Sequence, residues 1–170
     1  MLSRWIVLAV LFGASTASGA SAQAAGARAD SSAAPIHACA LLIPSEVKKL
    51  AALPDPLNLY ATMPPQEEPL GKGSSCTYPN LHLQIDPFDW PTIEGLLVKN
   101  PTQFEVVPDV GDAAYLRANK PARSLEFAEL YARVGSHVLT IQMDVPDGKT
   151  TASVKPGLVA LAKAYAAKLR

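Results

Sequence analysis

The dipeptide Gly135-Ser136 constrains this chain more than any other feature, because apolar residues alternate away from it in both directions. A two-residue turn with Gly first fits type II′, whose twist matches that of two antiparallel strands. It pairs Val134 with His137, Ala132 with Leu139, Leu130 with Ile141 and Ala128 with Met143. The opposite face pairs Arg133 with Val138, Tyr131 with Thr140, Glu129 with Gln142 and Phe127 with Asp144. A slip of one residue would turn the first apolar set into water, so the register is strongly specified. The hairpin therefore has one face that must be covered.

The C-terminal segment supplies the cover. Val154, Leu158, Leu161, Tyr165 and Leu169 recur at helical spacing, which predicts a helix over 153–169 with one continuous apolar stripe. Pro156 is expected in its first turn, where proline is tolerated. Upstream, residues 44–53 read as a short helix with Pro44 and Glu46 at its start and Val47, Leu50 and Leu53 on one edge. Pro54 and Pro56 end it. Residues 54–73, with Pro64, Pro65 and Pro69 and no steady period, read as an irregular surface loop. Residues 75–78 and 81–86 alternate as strands. In the second, Leu81, Leu83 and Ile85 face inward while His82, Gln84 and Asp86 face out. A helix over 92–100 and a strand over 113–117, entered by the turn at 108–112, complete the pattern. The fold class is α+β: a two-layer arrangement of an antiparallel sheet packed against a short N-terminal helix and a C-terminal helix.

The N-terminus has the order of a secretory signal. Arg4 precedes the unbroken apolar run Trp5 to Phe12, and small residues lead to Ala22-Gln23-Ala24. The reading is a signal peptide over 1–24, a flexible Ala/Ser/Gly-rich leader over 25–36 and one domain over 37–170. The rival, a membrane anchor, needs about 20 apolar residues, and Gly13, Ser15, Thr16, Ser18 and Gly19 interrupt the run. The chain is thus expected to be exported, periplasmic or secreted, with no membrane anchor after cleavage. Of 15 basic and 15 acidic residues the signal removes one arginine and no acid, leaving a net charge of −1. Only Lys48-Lys49 are adjacent basic residues, so no basic stripe for nucleic acid exists.

Cys39 and Cys76 are the two cysteines. In an exported chain a pair reads as one disulfide tying the first helix to the first strand. The alternative is a metal or redox role, for which His37 and Cys39 supply two ligands where zinc needs three or four.

Several stretches together resemble a group of exported bacterial domains of unknown function common among actinobacterial lipoproteins. They are Cys39-Ala40-Leu41-Leu42-Ile43-Pro44-Ser45-Glu46-Val47, Cys76-Thr77-Tyr78 and Gly111-Asp112-Ala113-Ala114-Tyr115, with the hairpin and last helix. The resemblance implies a two-layer α+β fold with a disulfide between the two cysteine motifs, and it carries no known activity. The chain departs from the pattern at Ile43, where a capping Thr is usual, at Asp109, where Gly is common, and in having no lipid-attachment cysteine.

No Gly-x-Ser-x-Gly elbow and no His-x-x-x-His pair occurs, so no catalytic residue, metal ligand or cofactor is assigned. His82 reads as a solvent-facing strand residue and His137 as a turn-flanking one. Asp86 with Asp89, and Asp109 with Asp112, read as turn and helix-start residues rather than carboxylate pairs. The candidate binding residues are Phe127, Tyr131, Arg133 and Val138 on the hairpin face away from the core. Exposed, they would form a patch for an unknown envelope protein or small ligand; alternatively residues 54–73 or Trp90 cover them. A non-enzymatic binding or interaction module leads. A cell-envelope hydrolase, needing a polar cleft that gathers His82 or His137 with a carboxylate, and a metal-handling protein using His37 are the alternatives.

Overall fold

The computed structural model describes residues 36–51, 64–119 and 126–170. The signal, nearly all of the leader, Leu53 and the first part of the expected loop lie outside them. The chain runs α1 (Ala38–Leu41), α2 (Pro44–Ala51), β1 (Gln66–Leu70), β2 (Gly73–Tyr78), β3 (Leu81–Ile85), α3 (Trp90–Lys99), β4 (Phe104–Val106), β5 (Ala113–Asn119), β6 (Phe127–Val134), β7 (His137–Asp144) and α4 (Thr151–Lys168). The strands form one antiparallel sheet in the order β1-β2-β3-β7-β6-β5-β4. Among the described residues no helix is long and apolar enough to cross a membrane.

The hairpin forms as its sequence dictates. β6 and β7 pair in the expected register from Phe127–Asp144 to Val134–His137, and Gly135 takes a φ of 60° at the first turn position. Its core face is buried together with α4: Leu130, Leu139, Ile141, Leu158, Leu161 and Tyr165 lie in one apolar cluster and are fully buried. The α+β class and the Cys39–Cys76 disulfide are both present.

Four expectations are corrected. Part of the expected loop over 54–73 is the edge strand β1, paired with β2 from Gln66–Thr77 to Leu70–Gly73. Four of its five residues are exposed, so no alternation marks it, and Pro69 fits an edge that needs no second partner. The disulfide consequently joins α1 to the second strand, and α1 is a four-residue helix with no periodic signal. α4 starts at Thr151 because Thr150 and Ser153 form a reciprocal capping box. Pro156 then falls past the first turn, and the Ala152 carbonyl loses its helical donor. α3 starts at Trp90, two residues early, because Asp89 accepts a hydrogen bond from the Thr92 N–H and Pro91 occupies the first turn.

Three positions singled out in the resemblance have a local setting in the fold. Asp112 N–H donates to the Arg133 carbonyl at 2.7 Å, and its Oδ2 accepts from Gly135 N–H at 2.7 Å, so this aspartate clasps the hairpin turn. Asp109 takes a φ of 59°, the left-handed conformation that glycine adopts most readily. Ile43 precedes α2 with an exposed side chain, its carbonyl accepting from Glu46 and Val47 N–H.

Candidate functional site

Helix α3 decides what the other sheet face can do. Trp90 and Ile93 pack onto Tyr131 and Val138 in a second apolar cluster, with Leu96, Phe104, Ala113 and Tyr115 at its border. Trp90 stacks on Tyr115 at 5.9 Å between ring centroids, and Phe104 lies against Tyr131 at 6.2 Å. Tyr131 and Val138 are each 3% exposed. The expectation of an open aromatic patch is therefore corrected: of the two alternatives, cover by Trp90 holds, because the cap at Asp89 starts a helix whose apolar side folds back over β6 and β7. Phe127 sits at the far end of β6, half-buried opposite Asp144. Arg133 alone reaches a different setting, its guanidinium 5.6 Å over the Trp90 ring.

That arginine borders a cleft of about 470 Å³ between the β1–β2 turn, the β3–α3 junction and the hairpin turn. A Cβ on Gly73 would lie 1.8 Å from the Ile85 carbonyl oxygen. Only glycine permits that approach, and it carries the neighbouring Lys72 to the cleft wall. Asp86 takes a φ of 52° at the end of β3. Its N–H donates to the Val138 carbonyl at 2.7 Å, its Oδ1 accepts from Val138 N–H at 2.7 Å, and its Oδ2 lies 2.8 Å from His137 Nδ1. A carboxylate can only accept, so Nδ1 carries the proton and Nε2 is left for another partner.

The charges in the cleft are unequally engaged. Asp86 is held by His137 and Val138. Asp89 caps α3, and hydrogen bonds from the Thr92 hydroxyl and N–H hold its carboxyl below the usual range. Lys72 and Arg133 have no carboxylate partner among the described residues. Beside them Phe88 is 52% exposed, an unusual position for a large apolar side chain. Among the described residues the cleft thus offers two cations without a carboxylate partner, one of them over the Trp90 ring, together with the His137 Nε2 and two aromatic rings.

A second cavity lies on the part of this sheet face that α3 leaves uncovered. Pairing aligns Gln66, Thr77, His82, Gln142, Glu129, Arg117 and Phe104 in one row across all seven strands. Arg117 Nη2 lies 3.0 Å from Glu129 Oε2. Burial, with help from Glu129, pushes the Tyr131 hydroxyl well above its ordinary range. At the β1 end the row opens into a cavity of about 390 Å³.

Burial holds the His82 imidazole below its ordinary value of 6.5, against the raising pull of Glu68, Asp144 and Glu129. The unfolded chain therefore binds this proton more readily than the folded one. Its share of stability is complete above pH 6.5 and is lost as pH falls through the folded value. His82→Gln is expected to flatten the fall in urea midpoint below that pH; an unchanged slope would contradict the assignment.

The remaining sequence candidates stay apart. His37 forms an exposed pair with Glu67 at 3.0 Å, and among the described residues no group of three or more His, Cys, Asp and Glu is placed to hold a metal ion. Asp109 lies 3.8 Å from Lys163 and Asp112 3.7 Å from Arg170, both on the surface.

The fold and cleft define an α+β domain with a disulfide-tied first helix and, at one end of its sheet, an aromatic recess lined by two bases and two acids. No family model matches the chain, and no curated protein or solved structure matches it.

Proposed function

We propose that the chain is an exported, non-enzymatic binding domain whose cleft takes a small anionic ligand with a flat apolar part. Export rests on Arg4, the apolar run Trp5 to Phe12 and Ala22-Gln23-Ala24; a disulfide accords with an oxidising compartment. Likeness to the exported domains of actinobacterial lipoproteins rests on the two cysteine motifs and Gly111-Asp112. The observation that carries the ligand class is the imbalance in the cleft: both carboxylates are engaged, whereas Lys72 and Arg133 have no carboxylate partner among the described residues, and Phe88 and Trp90 stand beside them, Trp90 under the Arg133 guanidinium. A carboxylate, sulfonate or phosphate ester on a ring meets both demands.

Calorimetric titration with phenyl phosphate and naphthalenesulfonate tests this. Binding is expected to weaken with added salt. Arg133→Ala or Lys72→Ala should each weaken it about ten-fold or more, the cost of one charge-assisted hydrogen bond. Equal affinity for the wild type and both variants would refute the reading.

A hydrolase is the second reading, favoured by the Asp86–His137 pair in a cleft. Aspartate orients the ring, and Nε2 would act as general base toward water. It predicts turnover of phenyl phosphate or a phenyl ester that disappears in His137→Ala, whereas the binding reading predicts no turnover.

A further inference from the structure

We propose a second ligand site, independent of the cationic cleft, in the cavity at the β1–β2–β3–β7 end of the sheet, built for a neutral polyhydroxylated ligand of the saccharide class. The lining side chains Gln66, Thr77, His82, Gln142 and Asp144 have no hydrogen-bond partner among the described residues. Pairing sets Gln66 beside Thr77, Thr77 beside His82 and His82 beside Gln142, so four of them form a line of polar groups on neighbouring strands. Strands lie about 4.8 Å apart, close to the spacing of hydroxyls across a sugar ring. The framework is a paired sheet, which fixes the spacing of the positions that carry these groups.

The chemistry of the lining chooses between ligand classes. Each glutamine amide both donates and accepts, as does the threonine hydroxyl, and a neutral imidazole has one nitrogen for each role. His82 is kept neutral by burial. Hydroxyl groups match such a lining because each can donate to one neighbour and accept from another. Among the described residues Asp144 is the one carboxylate that lines the cavity, with Glu68 and Glu129 near His82; an anion is repelled there, and a carboxylate accepts readily from sugar hydroxyls. A cation would use Asp144 and the accepting atoms of the other four side chains, but would leave their donors unmet, whereas hydroxyl groups satisfy both. Pro79 and Tyr78 border the cavity and supply apolar surface for the C–H face of a ring.

Titration of the chain with maltotriose and fully N-acetylated chitotriose, both neutral, followed by nitrogen–proton NMR, tests the site, with putrescine as the cationic arm. At least one trisaccharide is expected to bind saturably with a dissociation constant of about 1 mM or tighter. Gln142→Ala and Thr77→Ala should each weaken it about ten-fold, the loss of one net hydrogen bond, while thermal midpoints stay unchanged. Arg133→Ala should leave it unaltered, so failure here is separable from failure of the cationic cleft. The proposal is overturned if neither sugar binds at about 10 mM or if sugar binding survives both substitutions. It is equally overturned if putrescine binds instead and Asp144→Asn removes it.

Discussion

Leu161→Ala is expected to destabilise the folded chain by about 2–5 kcal/mol, the range for truncating a leucine where the surroundings cannot collapse. Leu161 is fully buried at the middle of α4, between Leu158 one turn before it and Tyr165 one turn after. The same cluster contains Leu130, Leu139 and Ile141 from β6 and β7. The lost side chain therefore leaves a void against β6 and β7, which are paired on both sides and cannot move in to fill it. Urea unfolding should show a lower midpoint with an unchanged slope. A loss within about 0.5 kcal/mol, the range for surface positions, would mean that α4 does not dock on this face.

Removal of the Cys39–Cys76 bond in a Cys39→Ser/Cys76→Ser double variant is expected to cost about 2–5 kcal/mol. The bond closes a segment with 37 residues of sequence separation, and that loop contains α2, β1 and most of β2. Cys76 is fully buried on the core face, so its replacement also places a hydroxyl in apolar surroundings. Other ties hold α1 and α2. Ala38 N–H donates to Ser74 Oγ at 2.7 Å, Ser74 Oγ donates to the Ile36 carbonyl at 2.8 Å, and Lys168 Nζ pairs with Glu46 at 2.7 Å. These are single polar contacts and do not restrict the unfolded chain, so they cannot replace the covalent link. Comparing urea midpoints of the oxidised and double-variant proteins checks the result, and coincident midpoints would contradict it.

The parts of the fold that could be read from the sequence are those where one residue pattern meets one demand. Gly135 with alternation on both sides defined the β6–β7 register, and Val154, Leu158, Leu161 and Tyr165 defined the buried stripe of α4. β1 escaped because an edge strand with water on both faces has no reason to alternate, and Gln66-Glu67-Glu68-Pro69-Leu70 carries no β-branched residue. β4, three residues long, is too short for a period to appear. Tyr131 and Val138 marked a face that is covered, whereas Phe127 on the same face lies outside that cluster, and the pattern does not say whether the cover is a partner or the chain itself. Asp89 and Pro91 did carry the start of α3; its path back over Tyr131 did not follow from them.

The cleft was harder still. Asp86 and His137 are separated by 51 residues and meet only because β3 pairs with β7. Nothing local to either residue encodes that long-range pairing, so each alone read as a turn residue. Lys72 reaches the same place through the Gly73 contact with Ile85, again a long-range event. Arg133 was singled out from the sequence, though as part of an aromatic face rather than as a cation at a recess.

The central claim, that the recess binds an anion carried on a ring, is tested most directly by mapping naphthalenesulfonate onto the chain by nitrogen–proton NMR. The account predicts that the Trp90 indole and the backbone signals of Lys72, Phe88, Arg133 and His137 shift together and saturate at one dissociation constant. No saturable shift, or shifts confined to α4 or to the β2–β3 turn, would contradict it.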